Sequence, residues 1–195
     1  MEHFENTIRI ISKSIRSIEE SSFESLKDDC IETLANGKKI IASGLGKNVP
    51  ICEKFVGTLN SVGIQAQFMH TNSAIHGDLG IAQTGDLVII LSKSGETSET
   101  IHLVNHLMKR SCILWLLSFS KESTLYCAMP NRIIINLEHE GDDWDMIPNN
   151  STLINLIVLQ ELAMQVIKES KISIDTLKQN HPGGAIGMRL GGAGI

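Results

Sequence analysis

No dense block of lysine or arginine occurs in this 195-residue chain, which sets 17 Lys and Arg against 22 Asp and Glu for a net charge of −5. That removes the electrostatic footprint of a nucleic-acid or anionic-lipid binder, so any anionic ligand has to be held by a local arrangement of donors. Aromatic side chains are scarce as well, with five Phe, two Trp and one Tyr, so the core has to be aliphatic. The four cysteines, Cys30, Cys52, Cys112 and Cys127, show neither Cys-x-x-Cys spacing nor a compact secreted framework, and read as reduced cytosolic thiols. The N-terminal segment lacks a basic stretch followed by an apolar one, and no run approaches the roughly 20 apolar residues of a membrane span. A cytoplasmic protein with no membrane or nucleic-acid partner is expected.

What is present is an ordinary globular mixture, 42% hydrophobic and 20% charged. The length suits one domain over residues 1–195, with N-terminal helices at 1–36, an α/β core at 38–170 and a tail at 171–195 that contributes to the active site. Phe4, Ile8, Ile11, Ile15 and Ile18 recur at helical spacing, and a second helix follows from Phe23 to Ala35. The stripe serves either the chain's own core or a seam between subunits. Beyond Lys38, five short apolar runs read as strands: Lys38–Ala42, Gln65–Met69, Leu87–Leu91, Cys112–Leu117 and Ile133–Leu137. Their continuous apolarity suits a parallel sheet buried on both faces. Helices are expected at Asn48–Val62, Thr97–Lys109, Ser123–Ala128 and Thr152–Ser170, the last apolar nearly all round. The fold class is α/β, a three-layer α/β/α sandwich on a five-stranded parallel sheet. The Gly-rich stretch from Asn180 onward has no apolar periodicity and is expected to wrap the surface or a neighbour without forming a helix.

In such folds ligands bind beyond the carboxyl ends of the strands. After the third strand, Ser92-Lys93-Ser94-Gly95-Glu96-Thr97-Ser98-Glu99 gathers hydroxyls and backbone amides at a helix start. It is either a neutral phosphate cradle or a simple capping box. After the first strand, Ser43-Gly44-Leu45-Gly46-Lys47-Asn48 turns into a helix with a lysine at its mouth, matching neither a dinucleotide fingerprint nor a Walker A motif. His76 and Asp78 stand on a loop after the second strand, and His181 precedes Pro182-Gly183-Gly184. The run from Glu138 to Asp145 is a solvated acidic loop, a source of a catalytic carboxylate or a divalent-metal site. His102 and His106, four apart on one helix face, lack an evident third zinc ligand.

The motifs Ser43–Lys47, His76–Gly80, Ser92–Thr97 and His181–Gly187 occur in the order found in D-arabinose-5-phosphate isomerases, a branch of the sugar-isomerase (SIS) domain proteins that the chain resembles from about Lys38 to Leu190. The resemblance implies a SIS fold, a homotetramer with active sites shared between subunits, and interconversion of D-ribulose 5-phosphate with D-arabinose 5-phosphate. That reaction would feed 3-deoxy-D-manno-octulosonate (KDO) biosynthesis for lipopolysaccharide or capsule. It places catalytic roles on Lys47, His76, Glu99, Glu140 and His181. Substrate-binding roles fall on Ser43, Gly44, Gly46, Asp78, Ser92, Ser94, Gly95 and Thr97, with no cofactor and no metal. The chain departs from the family pattern at Lys93, where Asn is usual, after Lys47, and over Asp142 to Asn149. The regulatory CBS modules carried by many members do not follow.

The residue set suits the chemistry. Moving a proton between C1 and C2 through a cis-enediol needs a base over the carbons and an acid that serves the oxygens, each worth about 10²–10⁴ in rate. Carboxylates and histidines supply these, and a lysine steadies enediolate charge. Two other readings share the fold: a non-catalytic phosphosugar-binding module, and a sedoheptulose-7-phosphate isomerase.

Overall fold

Each apolar run becomes a strand because both of its faces are covered. The computed structural model describes residues 2–191. The strands are β1 (Ile40–Gly44), β2 (Ala66–Phe68), β3 (Leu87–Leu91), β4 (Ile113–Ser118) and β5 (Arg132–Ile134), paired in parallel in the order β2-β1-β3-β4-β5. The helices are α1 (Glu2–Ile15), α2 (Glu20–Ala35), α3 (Val49–Ser61), α4 (Thr71–Ala74), α5 (Ser98–Leu107), α6 (Thr124–Ala128), α7 (Asn150–Glu169), α8 (Ile174–Asn180) and α9 (Gly184–Arg189). On one face Ile40, Ala42, Leu87 and Ile89 pack with Leu26 of α2, Phe55 and Leu59 of α3 and Leu162 of α7. On the other, Ile41, Val88 and Ile90 pack with Leu103 and Leu107 of α5 and Leu125 of α6. Each of these large aliphatic side chains stabilises the fold by about 1.5–3 kcal/mol through burial. The three-layer α/β/α sandwich expected from sequence is therefore what forms.

Several boundaries differ, each for a local reason. β5 ends at Ile134, short of Leu137, because the Asn136 amide leaves the sheet to donate to Ser17 Oγ at 2.9 Å. The tail, expected to stay irregular, forms α9: the Gly187 and Leu190 amides donate to Gly183 O and Ile186 O. Gly187 lets this helix fold back on His181 and Pro182, where an added Cβ would lie 2.7 Å from His181 O. Residues 192–195 of the tail lie outside the described set. α7 has the length and composition to cross a membrane, contrary to the sequence reading. Its Ile154, Val158, Leu162 and Val166 are buried against the sheet, as in a core helix. The stripe divides: Ile11 and Ile18 join the core, whereas Phe4 and Ile8 are 70% and 64% exposed, and Ile8 lines a groove with exposed Ile157 of α7.

All four cysteines are free thiols, and burial pushes the Cys52 thiol up to about 12, so it stays a small apolar filler. At the amino edge of the sheet, the buried Asp86 carboxylate accepts from the Gln83 and Lys39 amides at 2.8 and 3.1 Å and pairs with Lys39 Nζ at 2.8 Å. Burial alone would raise its pKa, but the Lys39 ammonium and these amides hold it below the ordinary aspartate value. Asp86 therefore binds its proton less tightly folded than unfolded. Its stabilisation is present above the unfolded pKa near 3.9 and is lost as pH falls through the lower native value. Asp86→Asn should lower the unfolding free energy at pH 7 by about 2–4 kcal/mol, since it strands part of a buried pair. Denaturant melts should also show a flatter acid limb in the variant.

Candidate active site

The strand order reverses between β1 and β3, and their register pairs Gly44 with Leu91, so the loops after both strands leave the carboxyl edge side by side. From β1 the chain turns through Gly46, whose φ of +57° needs glycine, into a short turn that leaves Lys47 exposed. Gly44 lies so close to the start of α3 that an added Cβ would come within 2.9 Å of Asn48 Cβ. Asn48 Oδ1 accepts from Asn155 Nδ2 at 3.1 Å, which ties this loop to α7. Ser43, expected at the substrate, is fully buried and shares a hydrogen bond of 3.1 Å with Thr71 Oγ1. It fixes the start of α4 and does not line an open cleft.

The loop after β3 forms an open cradle. Gly95 has φ +67°, and a Cβ there would collide with the Ser123 hydroxyl, so glycine is required twice over. Ser92 is buried and its Oγ accepts from the Gly95 amide at 3.2 Å, so it shapes the loop from beneath. Ser94 is exposed and accepts from the Glu96 amide at 3.2 Å, which leaves its O–H to donate outward. Glu96 turns away, accepting from the amide and hydroxyl of Thr124 at 2.7 and 2.8 Å. Thr97 is the N-cap of α5 and makes no side-chain cap bond, so the capping-box alternative does not form. Glu99 stands exposed in the first turn, its carboxylate held below the usual range by its own amide and then by the Ser98 hydroxyl at 2.9 Å.

Glu140 has a different setting from the one its motif implies. Its side chain has no exposed surface. Oε1 takes Lys93 Nζ and Ser151 Oγ at 2.6 Å each, and Oε2 takes the Asn149 and Ser151 amides at 3.0 and 2.9 Å. Burial pulls its pKa upward, but the Lys93 ammonium, the Ser151 hydroxyl and these amides outweigh it and keep the carboxyl below its ordinary value. Every lone-pair direction is used within this chain, so Glu140 is a fixed charge at the start of α7. Lys93 and Ser151, which pin it, went unrecognised as partners in the sequence. The Asn149-Asn150-Ser151 run was the available signal, a typical helix start.

The acidic loop is solvated at Glu138, Asp143 and Asp145, while Asp142 and Asp145 also bind its backbone. Asp142 accepts from the Trp144, Met146 and Ile147 amides, and Asp145 Oδ1 from the Glu140 amide at 2.6 Å. Among the described residues no group of three or more His, Cys, Asp or Glu side chains is placed to hold a metal ion. His102 and His106 meet Nε2 to Nε2 at 3.2 Å on the outer face of α5.

Within one chain His181 stands apart from the cradle. The α4 segment starts at Thr71 beside Ser43 and descends along α5 to Gln83 at the amino edge, leaving His76 and Asp78 exposed on the way. His181 caps α8, which packs against Gly63 at the turn entering β2, on the amino edge of the sheet. Within one chain this placement does not bring His181 to the Lys47 loop. Its Nδ1 faces Leu177 O at 2.9 Å. A carbonyl only accepts, so Nδ1 carries the proton and the neutral ring presents Nε2 as a free base.

Gly95→Ala should lower stability by more than about 1 kcal/mol, because a Cβ is wrong for both the backbone angle and the space. Ser94→Ala should leave the melting curve unchanged while weakening binding of inorganic phosphate. Calorimetric titration of both variants separates the scaffold from the contact.

Known proteins resemble this chain in sequence and fold. Residues 33–160 match the family model described as SIS domain. The chain is 33% identical over 152 residues to an arabinose 5-phosphate isomerase of Yersinia pestis, covering 78% of this chain and 46% of that protein. It is 36% identical over 153 residues to an uncharacterized protein of Chlamydia pneumoniae, with the same coverage. It thus spans about half the length of the curated relatives it matches. Among solved structures, an Escherichia coli CFT073 protein in complex with arabinose 5-phosphate superposes with a TM-score of 0.85 at 27% identity, over 92% of this chain and 94% of that one. A Listeria monocytogenes putative sugar-phosphate isomerase does so with a TM-score of 0.86 at 20% identity, over 93% and 94%. The match over most of the α/β core, on a sheet whose carboxyl edge holds the open cradle, means that the chain belongs to the SIS domain family.

Proposed function

We propose that this chain is an aldose–ketose isomerase that interconverts D-ribulose 5-phosphate and D-arabinose 5-phosphate in the cytoplasm, supplying KDO synthesis. The observation that supports it most is the junction of two loops at the switch point. There the Lys47 loop adjoins a cradle that carries the open Ser94 hydroxyl and the amides at the start of α5, with Glu99 in its first turn. Helix-start amides and hydroxyls suit a phosphate monoester in an acidic protein. The relatives named as arabinose 5-phosphate isomerases and the neighbour bound to arabinose 5-phosphate point to the same ligand class.

The reaction requires no outside reductant. A base removes a proton from C1 of the ketose, the released electron pair forms the C1–C2 double bond, and the C2 oxygen takes up a proton to give the cis-enediol. Return of a proton to C2 and loss of the O1 proton leave the aldehyde at C1. Lys47 would stabilise charge on the oxygens. Glu99 and the free Nε2 of His181 are the bases available to the carbons and oxygens, with His76 as a further acid–base group. Glu140 would act by holding the cradle and not by touching substrate.

Because His181 and the Lys47 loop lie at opposite edges of one sheet, the active unit would join copies of the chain, with the tail of one entering the cleft of another. The exposed Phe4, Ile8 and Ile157 supply an apolar surface for assembly, for which a homotetramer is our reading. One feature favours a phosphosugar-binding module without turnover: a single chain keeps His181 away from the cradle.

Turnover assays with ribulose 5-phosphate and sedoheptulose 7-phosphate should show the pentose as the preferred substrate, and light scattering should show an assembly. His181→Ala should lose kcat by at least about 10² with the fold intact. Mixing inactive Lys47→Ala and His181→Ala chains should restore part of the activity. Absence of turnover on either sugar would leave the binding module standing, and absence of complementation would remove the shared site.

A further inference from the structure

The cradle has an electrostatic difficulty. Glu96, Glu99 and Glu140 all lie in or against it, and a phosphate monoester is a dianion. Lys93 answers this from inside the loop. Its carbonyl is fixed by the Phe119 amide and the Ser118 hydroxyl, each at 3.1 Å, so the side chain departs from a rigid root. Its Nζ reaches Glu140 at 2.6 Å, its only partner among the described residues, while the side chain remains 41% exposed. An ammonium has three N–H donors, so two remain unspent.

Lys93 lines a cavity of about 380 Å³ with Ser94, Ser120, His139, Glu138 and Asp145. The acids there are already engaged. Glu138 is paired with Arg9 and Lys13 at 2.8 Å each, and Asp145 accepts the Glu140 amide. Glu140 itself is compensated by the Ser151 hydroxyl, the Asn149 and Ser151 amides and the N-terminus of α7. Arg9, Lys13 and Lys93 balance Glu138, Glu140 and Asp145 overall, and Lys93 is the part-exposed cation beside the Ser94 hydroxyl.

We propose that Lys93 is a substrate-binding residue, donating its two free N–H groups to the phosphate group of a sugar phosphate seated on the cradle, with Glu140 fixing its position. This rests on the phosphosugar reading given above, and it adds a charged contact that the hydroxyl motif alone does not contain.

The test compares wild type, Lys93→Gln, Lys93→Arg and the double variant Lys93→Gln/Glu140→Gln. Calorimetric titration with inorganic phosphate at low and high salt is run beside ribulose 5-phosphate turnover. Lys93→Gln should bind phosphate about tenfold or more weakly, as expected for loss of a charge-assisted hydrogen bond, with a shallower salt dependence. KM should rise by a similar factor while kcat stays within about threefold, since the contact is made equally in ground and transition states. Lys93→Arg should keep most of the affinity. The double variant removes the pair without stranding a buried carboxylate, and it should bind as weakly as Lys93→Gln. Recovery of phosphate binding in the double variant would assign the effect to loop geometry and overturn the proposal. Unchanged binding in a folded Lys93→Gln, or no phosphate binding by wild type, would overturn it as well. Lys93-dependent phosphate binding without turnover of any sugar phosphate would overturn the isomerase reading and leave this one intact.

Discussion

A carboxylate with no access to water must be compensated on every side, and Glu140 imposes that condition on three segments distant in sequence. The loop after β5 delivers it, the first turn of α7 supplies two amides and a hydroxyl, and the cradle after β3 supplies the Lys93 ammonium. Removing one partner from such a site typically costs about 3–5 kcal/mol, so the spacing between cradle and α7 is strongly enforced. The cradle is stitched on its other side as well. Lys93 O accepts from the β4 end, Gly95 O accepts from the Leu125 amide, and Glu96 holds Thr124. An anion arriving there meets donors already in place, so little ordering cost is left for binding to cover.

The same condition explains what could and could not be seen in the sequence. The strands were legible because burial on both faces leaves a continuous aliphatic signature, and Leu87–Leu91 matches its expected run residue for residue. Gly95 and Gly46 were legible as loop glycines, and the structure adds the reasons: positive φ in both, and the Ser123 hydroxyl against Gly95. The acidic loop was not legible. Five carboxylates from Glu138 to Asp145 look alike in sequence, but Asp142 and Asp145 accept backbone amides of the loop, and Glu140 is withdrawn completely. Periodicity reports which side chains avoid water and is silent on which polar groups find partners inside. Ser43 misled for the same reason. A hydroxyl beside a Gly-rich turn suggests a ligand contact, whereas its partner, Thr71, lies in another segment altogether.

The tail presents the opposite case. Its glycines carried no helical signal, yet α9 forms because Gly187 permits contact with the His181 and Pro182 backbone that any side chain would block. A short helix of this kind is stabilised by tertiary approach and not by propensity, which is low for glycine. That approach also orders the backbone around His181 and, through Leu177 O, sets its tautomer.

Where that ordered tail sits decides how a site could be completed. α7 has 20 residues and so covers about 30 Å from the cradle side to the amino edge where α8 begins. Bringing His181 to the Lys47 loop of its own chain would mean detaching α8 from Gly63, where Thr176 is in contact, and crossing the full depth of the sheet. Those contacts and the cap of α8 at Ser173 would be lost before any catalytic contact was gained. A second chain could present the same tail with its fold unchanged, and the proposed association would bury apolar surface exposed at Phe4, Ile8 and Ile157. On that reading assembly would cost less than rearrangement within one chain: no folded contact would be broken, and exposed hydrocarbon would leave water.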